Sequence, residues 1–243
     1  MTGAIGMMFG NRTPPVIVQG GGGVSSASAD MEPRTLARTL QGNWGGSNPT
    51  GTGNFTAECW IYNTNKHDNQ MIFETRNDSG GAGFGIRTLT DGAVNNGFMY
   101  IYGGGTAQFE GLVQNQWMHI AVSRSSNTTK IFLDGTQKIS ITDNGNYNSN
   151  NWRVGGYWGI YNNYEVLWVF EGYIDEVRYS STARYTANFT PQTSSFTSDG
   201  DTLLLLHMDG ENGGTTFTDD SSYARTGITA TGGLTTNTSV FKF

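Results

Sequence analysis

Cysteine is almost missing from this chain: its 243 residues hold one, Cys59, which excludes an intrachain disulfide and a zinc site built from several thiolates. In FTAECWIY, Cys59 falls in phase with Phe55, Ala57 and Ile61, so it reads as a buried small hydrophobe and not as a reactive thiol. Charge is scarce as well. Charged residues make up 14%, and 14 Lys and Arg against 20 Asp and Glu leave a net charge of -6. Phosphate binding needs clustered basic side chains, and no basic run occurs, which argues against a nucleic-acid partner. No apolar run is long enough to cross a bilayer, so membrane insertion is not expected. The segment after Met1 also lacks the basic, apolar and small-residue order of a secretory signal, so any role outside a cell is expected to be reached without one.

Glycine is plentiful, with 35 residues, and aromatics reach 12%, a balance poor in helix formers and rich in turn and strand formers. The class expected is all-β. The length suits one large domain, or one domain with an appendage. The clearest segment is Trp117 to Gly135, WMHIAVSRSSNTTKIFLDG. Met118, Ile120 and Val122 alternate with Trp117, His119 and Ala121; a polar turn follows; then Ile131 and Leu133 flank Phe132 before the Asp134-Gly135 turn. That order makes an antiparallel meander.

Further strands are expected at 55–62, 71–75, 84–89, 98–102, 138–141, 152–154, 166–170, 173–179 and 202–207, a spacing that suits a sandwich or barrel. Leu203 to Leu206 is apolar on both faces, as a strand covered on each side would be. Residues 1–53 have a different texture: Gly-rich segments, Gly20 to Gly23 among them, interrupt TPPVIV and a Ser/Ala stretch. This composition reads as an extended N-terminal arm or linker before a domain over 54–243. Within the arm a short helix is expected from Met31 to Leu40, with Asp30 as N-cap and Pro33 in its first turn.

Four blocks in order, FTAECWIY, WMHIAVSRSSNTTKIFLDG, FEGYIDEVRYSSTARYTANFTP and DTLLLLHMDG, resemble the laminin-G-like branch of the concanavalin A-like lectin/glucanase superfamily. The resemblance implies a jelly-roll sandwich of two antiparallel sheets. The style of the later blocks is similar to modules in structural proteins of tailed bacteriophages, where an LLLHFDG-like strand commonly opens a module. Here the equivalent DTLLLLHMDG comes late, and the residues after Thr202 are too few for a second core. The resemblance therefore implies a circularly permuted single domain in which 202–243 supplies closing strands.

For chemistry, the candidate carboxylates are Glu171, Asp175 and Glu176, but their spacing does not match the paired acids of a sandwich glycosidase, and adjacent Asp175 and Glu176 would face opposite sides of an unbroken strand. No catalytic residue is assigned. His67, His119 and His207 stand far apart, which gives a histidine metal site little support. Gly20 to Gly23 lacks the spacing of a dinucleotide loop, so no cofactor is expected. Loop oxygens of Asn77-Asp78, Asp143-Asn144 and Asp219-Asp220 are the candidates for Ca²⁺, although Asp and Asn are also ordinary turn residues.

Recognition is expected between Asn144 and Phe170, where tyrosines and tryptophans alternate with asparagines; rings stack on sugar C–H faces and amides bond hydroxyls. Trp152 and Trp168 fall in expected strands and read as core, and the turn-rich interval between them leaves Tyr157, Trp158, Tyr161, Asn162, Asn163 and Tyr164 as the glycan-binding candidates. The function these readings imply is a non-enzymatic virion surface protein, a capsid decoration or knob or a tail-associated protein. Its arm would dock onto other virion proteins and its lectin-like sandwich would stabilise the particle or adhere to host glycans, as one copy or as a homo-oligomer. The alternatives are a tail-fibre or receptor-binding adhesin, and a polysaccharide-degrading glycoside hydrolase of the same fold.

Overall fold

The computed structural model describes residues 27–33, 36–46, 48–65, 69–76, 83–91, 94–101, 105–161 and 164–243, with the side chains of 89–91, 94–101, 105, 158–161 and 164–167 left aside. The strands in chain order are β1 (Ser28–Asp30), β2 (Thr39–Asn43), β3 (Phe55–Asn63), β4 (Gln70–Glu74), β5 (Phe84–Asp91) and β6 (Val94–Ile101). They continue as β7 (Gly105–Glu110), β8 (Trp117–Ser125), β9 (Thr128–Leu133), β10 (Thr136–Thr142), β11 (Asn151–Val154) and β12 (Gly156–Tyr161). The last are β13 (Tyr164–Val169), β14 (Gly172–Ser180), β15 (Thr202–Leu206), β16 (Thr229–Thr231) and β17 (Thr235–Asn237).

Two antiparallel sheets form the sandwich. The first runs β10-β9-β8-β3-β14-β1-β17, with β15 also paired to β14; the second runs β16-β2-β11-β4-β5-β6-β7; β12 and β13 make a separate hairpin. Period-2 alternation sets the layers. On β3, Phe55, Ala57, Cys59 and Ile61 face the common core, with Met118, Ile120 and Val122 of β8 and Ile131 and Leu133 of β9 beside them. The intervening residues Glu58, Trp60 and Tyr62 face outward yet are also buried, which means that something covers the outer face of the first sheet.

On β15, Leu204 and Leu206 join the main core while Leu205 packs outward with Trp60 and Phe196, the two-sided cover that its apolar run demands. β15 pairs with β14, and β14 with β3, so the late segment lies in the same sheet as Phe55–Asn63. One side of β14 is shared end to end: β1 pairs at Ile174 and Tyr173, β15 from Val177 to Ser180. The change of partner falls at Glu176, where φ is +51 and the β14–β3 register shifts.

The structure corrects two expectations for the first 53 residues. The α-helix expected over 31–40 does not appear in its described part: β1 ends at Asp30, β2 begins at Thr39, Leu36 alone is helical, in a 3-10 turn closed by its amide on the Pro33 carbonyl at 3.1 Å, and Met31 and Leu40 are both fully buried. The stretch between them carries the chain from the first sheet to the second, and one helical face could not deliver Met31 and Leu40 to that core while bridging two sheets. Asp30 caps locally instead, its carboxylate accepting the Glu32 amide at 2.9 Å and lying 3.3 Å from the Arg38 guanidinium. The sandwich also starts before residue 54. β1 is inserted between β14 and β17, and β2 between β16 and β11, so an arm can include at most the residues before Ala27.

Candidate functional site

The two sheets treat their outer faces differently. Over the first sheet lies the segment 181–199, which includes the ARYTANFTP block. Tyr185 and Phe189 stack on each other and pack with Phe132 and His119, and Arg178 lies 4.3 Å from the centre of the Phe196 ring. Beneath this strap Glu58 gathers three partners: the Arg178 guanidinium at 2.7 Å, the Tyr185 hydroxyl at 2.7 Å and His119 Nε2 at 3.1 Å. Burial alone would raise the Glu58 carboxyl; His119 and Arg178 outweigh it and hold the group below the usual carboxylate range. The C-terminal residues cover the other half, with Lys242 Nζ 4.2 Å from the centre of the Trp60 ring and Val240 among Tyr62 and Tyr173.

This arrangement explains the carboxylate candidates. Asp175 and Glu176 are fully buried. Asp175 accepts the amides of Glu176 and Lys242, both at 2.9 Å, while Glu176 accepts the Phe196 amide at 2.8 Å and His207 Nδ1 at 2.9 Å. Each acid anchors a covering segment. Glu171 contributes its amide to Gln70 Oε1 at 2.7 Å. The loop aspartates are similarly committed: Asp143 accepts the Thr129 and Tyr147 hydroxyls and the Gly145 amide, and Asp219 accepts the amides of Leu205, Ser221 and Arg225. Asn77 and Asp78 lie outside the described residues. Among the described residues no group of three or more His, Cys, Asp or Glu side chains is placed to hold a metal ion.

The outer face of the second sheet is built otherwise. β2 and β11 pair with Asn43 opposite Asn151, Gly42 opposite Trp152, Gln41 opposite Arg153 and Leu40 opposite Val154. Leu40, Trp152 and Val154 are fully buried in the core, so alternation puts Gln41, Asn43, Asn151 and Arg153 on the outside. β16 adds Thr229 opposite Gln41. These residues line a groove of about 250 Å³. Gly42, on the core side of the same strand, makes room beneath the groove, because a Cβ there would stand 2.4 Å from the buried Trp152 ring.

Beyond Arg153 the face passes under the β12–β13 hairpin. Arg153 Nη1 donates to the Arg76 carbonyl at 3.3 Å; Arg76 pairs with Glu74 and lies 5.0 Å from the centre of the Tyr157 ring; Arg87 lies 4.4 Å from that of Trp168. Tyr157 and Trp168 are register partners with ring centres 5.5 Å apart. Tyr157 is thus buried under guanidinium and indole, and its ring seats the hairpin instead of offering a free stacking face. Trp158 stands on β12 opposite Leu167, and Tyr161 opposite Tyr164 at the hairpin end; Asn162 and Asn163 lie outside the described residues. The interval read as turn-rich is therefore mostly paired strand.

Gln41 and Asn43 do not stand out in the sequence because TLQGN sits in a glycine-rich stretch that reads as linker, and Thr229 does not because it lies in a Thr/Gly-rich tail. The alternation of Leu40 with Gln41 and of Gly42 with Asn43 was the available signal, too short to stand alone.

A laminin-G model of the concanavalin A-like lectin/glucanases superfamily matches residues 42–188, more than half of the chain. Among solved structures, a Bacteroides ovatus protein assigned as carbohydrate binding superposes with a TM-score of 0.64 at 17% identity, covering 87% of this chain and 59% of that one. This chain therefore spans well under two thirds of that protein's length. A heptameric pentraxin from Limulus polyphemus superposes with a TM-score of 0.52 at 12% identity, covering 84% of this chain and 93% of its own. No curated protein matches the sequence. Motif blocks, two-sheet topology and family match agree: the chain belongs to the laminin-G branch of the concanavalin A-like lectin/glucanases superfamily.

Proposed function

We propose that this protein is a non-enzymatic glycan-recognising sandwich displayed on a virion surface, with the outer face of the second sheet as its contact face and residues 1–26 as its docking segment. The observation that carries the glycan reading is the contrast of faces. Asp175 and Glu176 are consumed as anchors under sealed straps, whereas an amide- and hydroxyl-lined groove stands open on the other side. The carbohydrate-binding assignment of the Bacteroides ovatus protein supports the reading by fold analogy. Particle display rests on the similarity of the IDEVR, ARY, NFTP and LLLLHMDG blocks to modules of tailed-phage structural proteins.

Two experiments test it. A saccharide-binding screen run beside a hydrolysis screen should give retention without bond cleavage; turnover that disappears in Glu171→Gln, Asp175→Asn or Glu176→Gln at an unchanged melting temperature would establish the glycosidase reading instead. For display, a protein lacking residues 1–26 keeps every strand of both sheets, and it should fail to join particles while its melting temperature matches that of the full chain. Undiminished incorporation would refute docking through that segment. Antibody labelling of intact particles then separates capsid decoration from a tail or receptor-binding position.

A further inference from the structure

The groove is specific enough in its chemistry to name the kind of saccharide. Register places Thr229, Gln41 and Arg153 side by side across three strands, with Asn43 and Asn151 as the next outward-facing rung. Same-face neighbours along a strand are ~6.8 Å apart and adjacent strands ~4.8 Å apart, so the polar heads form a lattice on the scale of a single sugar ring. Each amide offers both donor and acceptor. Asn43 Oδ1 is occupied by the Gly45 amide at 2.9 Å, which leaves its NH₂ to donate. Among the described residues the Gln41 and Asn151 side-chain amides have no protein hydrogen-bond partner.

The charge pattern narrows the ligand further. No carboxylate is among the described residues lining the groove, and its one charged member, Arg153, is only 6% exposed and already donates to the Arg76 carbonyl. A Ca²⁺ bridge needs carboxylate oxygens that this lining lacks. A mixed set of donors and acceptors with no accessible charge matches vicinal hydroxyls, each of which gives and takes a hydrogen bond. Ligand sites commonly run ~300–1,000 Å³; at about 250 Å³ the groove is small and suits one or two sugar units. Resting on the glycan reading above, we infer that the groove formed by Gln41, Asn43, Asn151 and Thr229 binds an uncharged, hydroxyl-rich saccharide directly, without calcium.

The test applies the full chain to an array of neutral and acidic glycans, in EDTA and again in CaCl₂, followed by titration with the best free oligosaccharide. Retention should fall on neutral glycans and be unchanged by EDTA. Gln41→Ala and Asn151→Ala should each weaken binding roughly tenfold, the worth of a lost hydrogen bond, with unaltered melting temperature. Retention confined to acidic glycans, loss of binding in EDTA, or full affinity in both alanine variants with loss in Trp158→Ala would overturn the groove assignment while leaving glycan recognition standing. Absence of retention on every glycan would overturn both.

Discussion

One outer face of this sandwich is sealed by straps, the other keeps an open groove beside the part that the β12–β13 hairpin covers, and the straps and the groove are made from different residue chemistry. Over the first sheet, carboxylates, guanidinium and histidine are buried beneath aromatic straps, with each charge held by a partner. On the second sheet, amides and a hydroxyl border a groove with no carboxylate among its described lining residues. Strong titratable groups are thus used for fastening, and weak neutral groups are left toward solvent. In this molecule a conspicuous cluster of acids is a poor guide to the binding face, because a buried ion network serves the fold while exposed amides remain free to exchange partners.

The sharpest way to break the sealed face is Glu58→Ala. It strands Arg178, whose side chain is 6% exposed, and deprives the Tyr185 hydroxyl and His119 of their shared acceptor. Removing one partner of a buried pair costs about 3–5 kcal/mol, and denaturant unfolding should show a loss of that size. A loss below about 1 kcal/mol would mean that the strap is held by its rings alone. The same network predicts acid sensitivity. The Glu58 pKa is lowered in the fold, so its stabilisation is present above the ordinary carboxylate pKa and is lost as pH falls through the depressed folded value.

The open face has its own structural weak point at Gly42. A methyl group there would meet the Trp152 ring at 2.4 Å, and Trp152 is fully buried beside Trp44. Gly42→Ala should cost about 1–3 kcal/mol by overpacking and should weaken saccharide binding as well, because the displaced indole shifts the strand that carries Gln41 and Asn43. Unchanged stability would show that the floor yields. Set against Glu58→Ala, the variant separates damage that spreads from core to groove from damage confined to the strap.

How much of this was legible in the sequence follows from contact range. The alternation in Trp117 to Gly135 reports local burial and gave β8 and β9 to within a residue or two. The Asp134-Gly135 turn has a further role that no local pattern carries: a Cβ at Gly135 would stand 1.9 Å from the Phe189 carbonyl, so the glycine admits the strap. Leu203 to Leu206 announced two-sided cover without saying what supplied it. β1 and β2 stayed hidden because they are three and five residues long, flanked by turn residues, and become strands only by pairing with β14, β17, β11 and β16. The groove shared that fate, being assembled from residues 41, 151 and 229. The ring-rich segment was visible, but pairing turned it into a hairpin and buried Tyr157.

A smaller effect should separate the anchors by pH. His207 is held by Glu176 and its pKa is raised, with the hydrogen bond to Glu176 the main cause and Asp220 and Asp209 adding to it. A raised histidine contributes stability that is complete below its unfolded value near 6.5 and is lost as pH rises through the folded value. Thermal unfolding from acidic to mildly alkaline pH should therefore show a decline that His207→Gln removes. A decline of equal slope in the variant would assign it to another group. Saccharide binding should not follow this titration, since His207 belongs to the sealed face.

The smallest expected change in stability is the one that most sharpens the contrast. Gln41 and Asn151 are partly exposed and Asn43 exposed, and all lie on the outer face, so the triple variant Gln41→Ala, Asn43→Ala, Asn151→Ala removes no core contact. Each substitution should stay within about 0.5 kcal/mol, and their sum should leave the unfolding midpoint close to that of the parent. A large destabilisation would mean that these amides hold β2 against β11 and belong with the fasteners. A stable triple variant that no longer binds saccharide would separate stability from recognition within one sandwich, the straps being held by paired charges and the groove being lined by amides that the fold does not need.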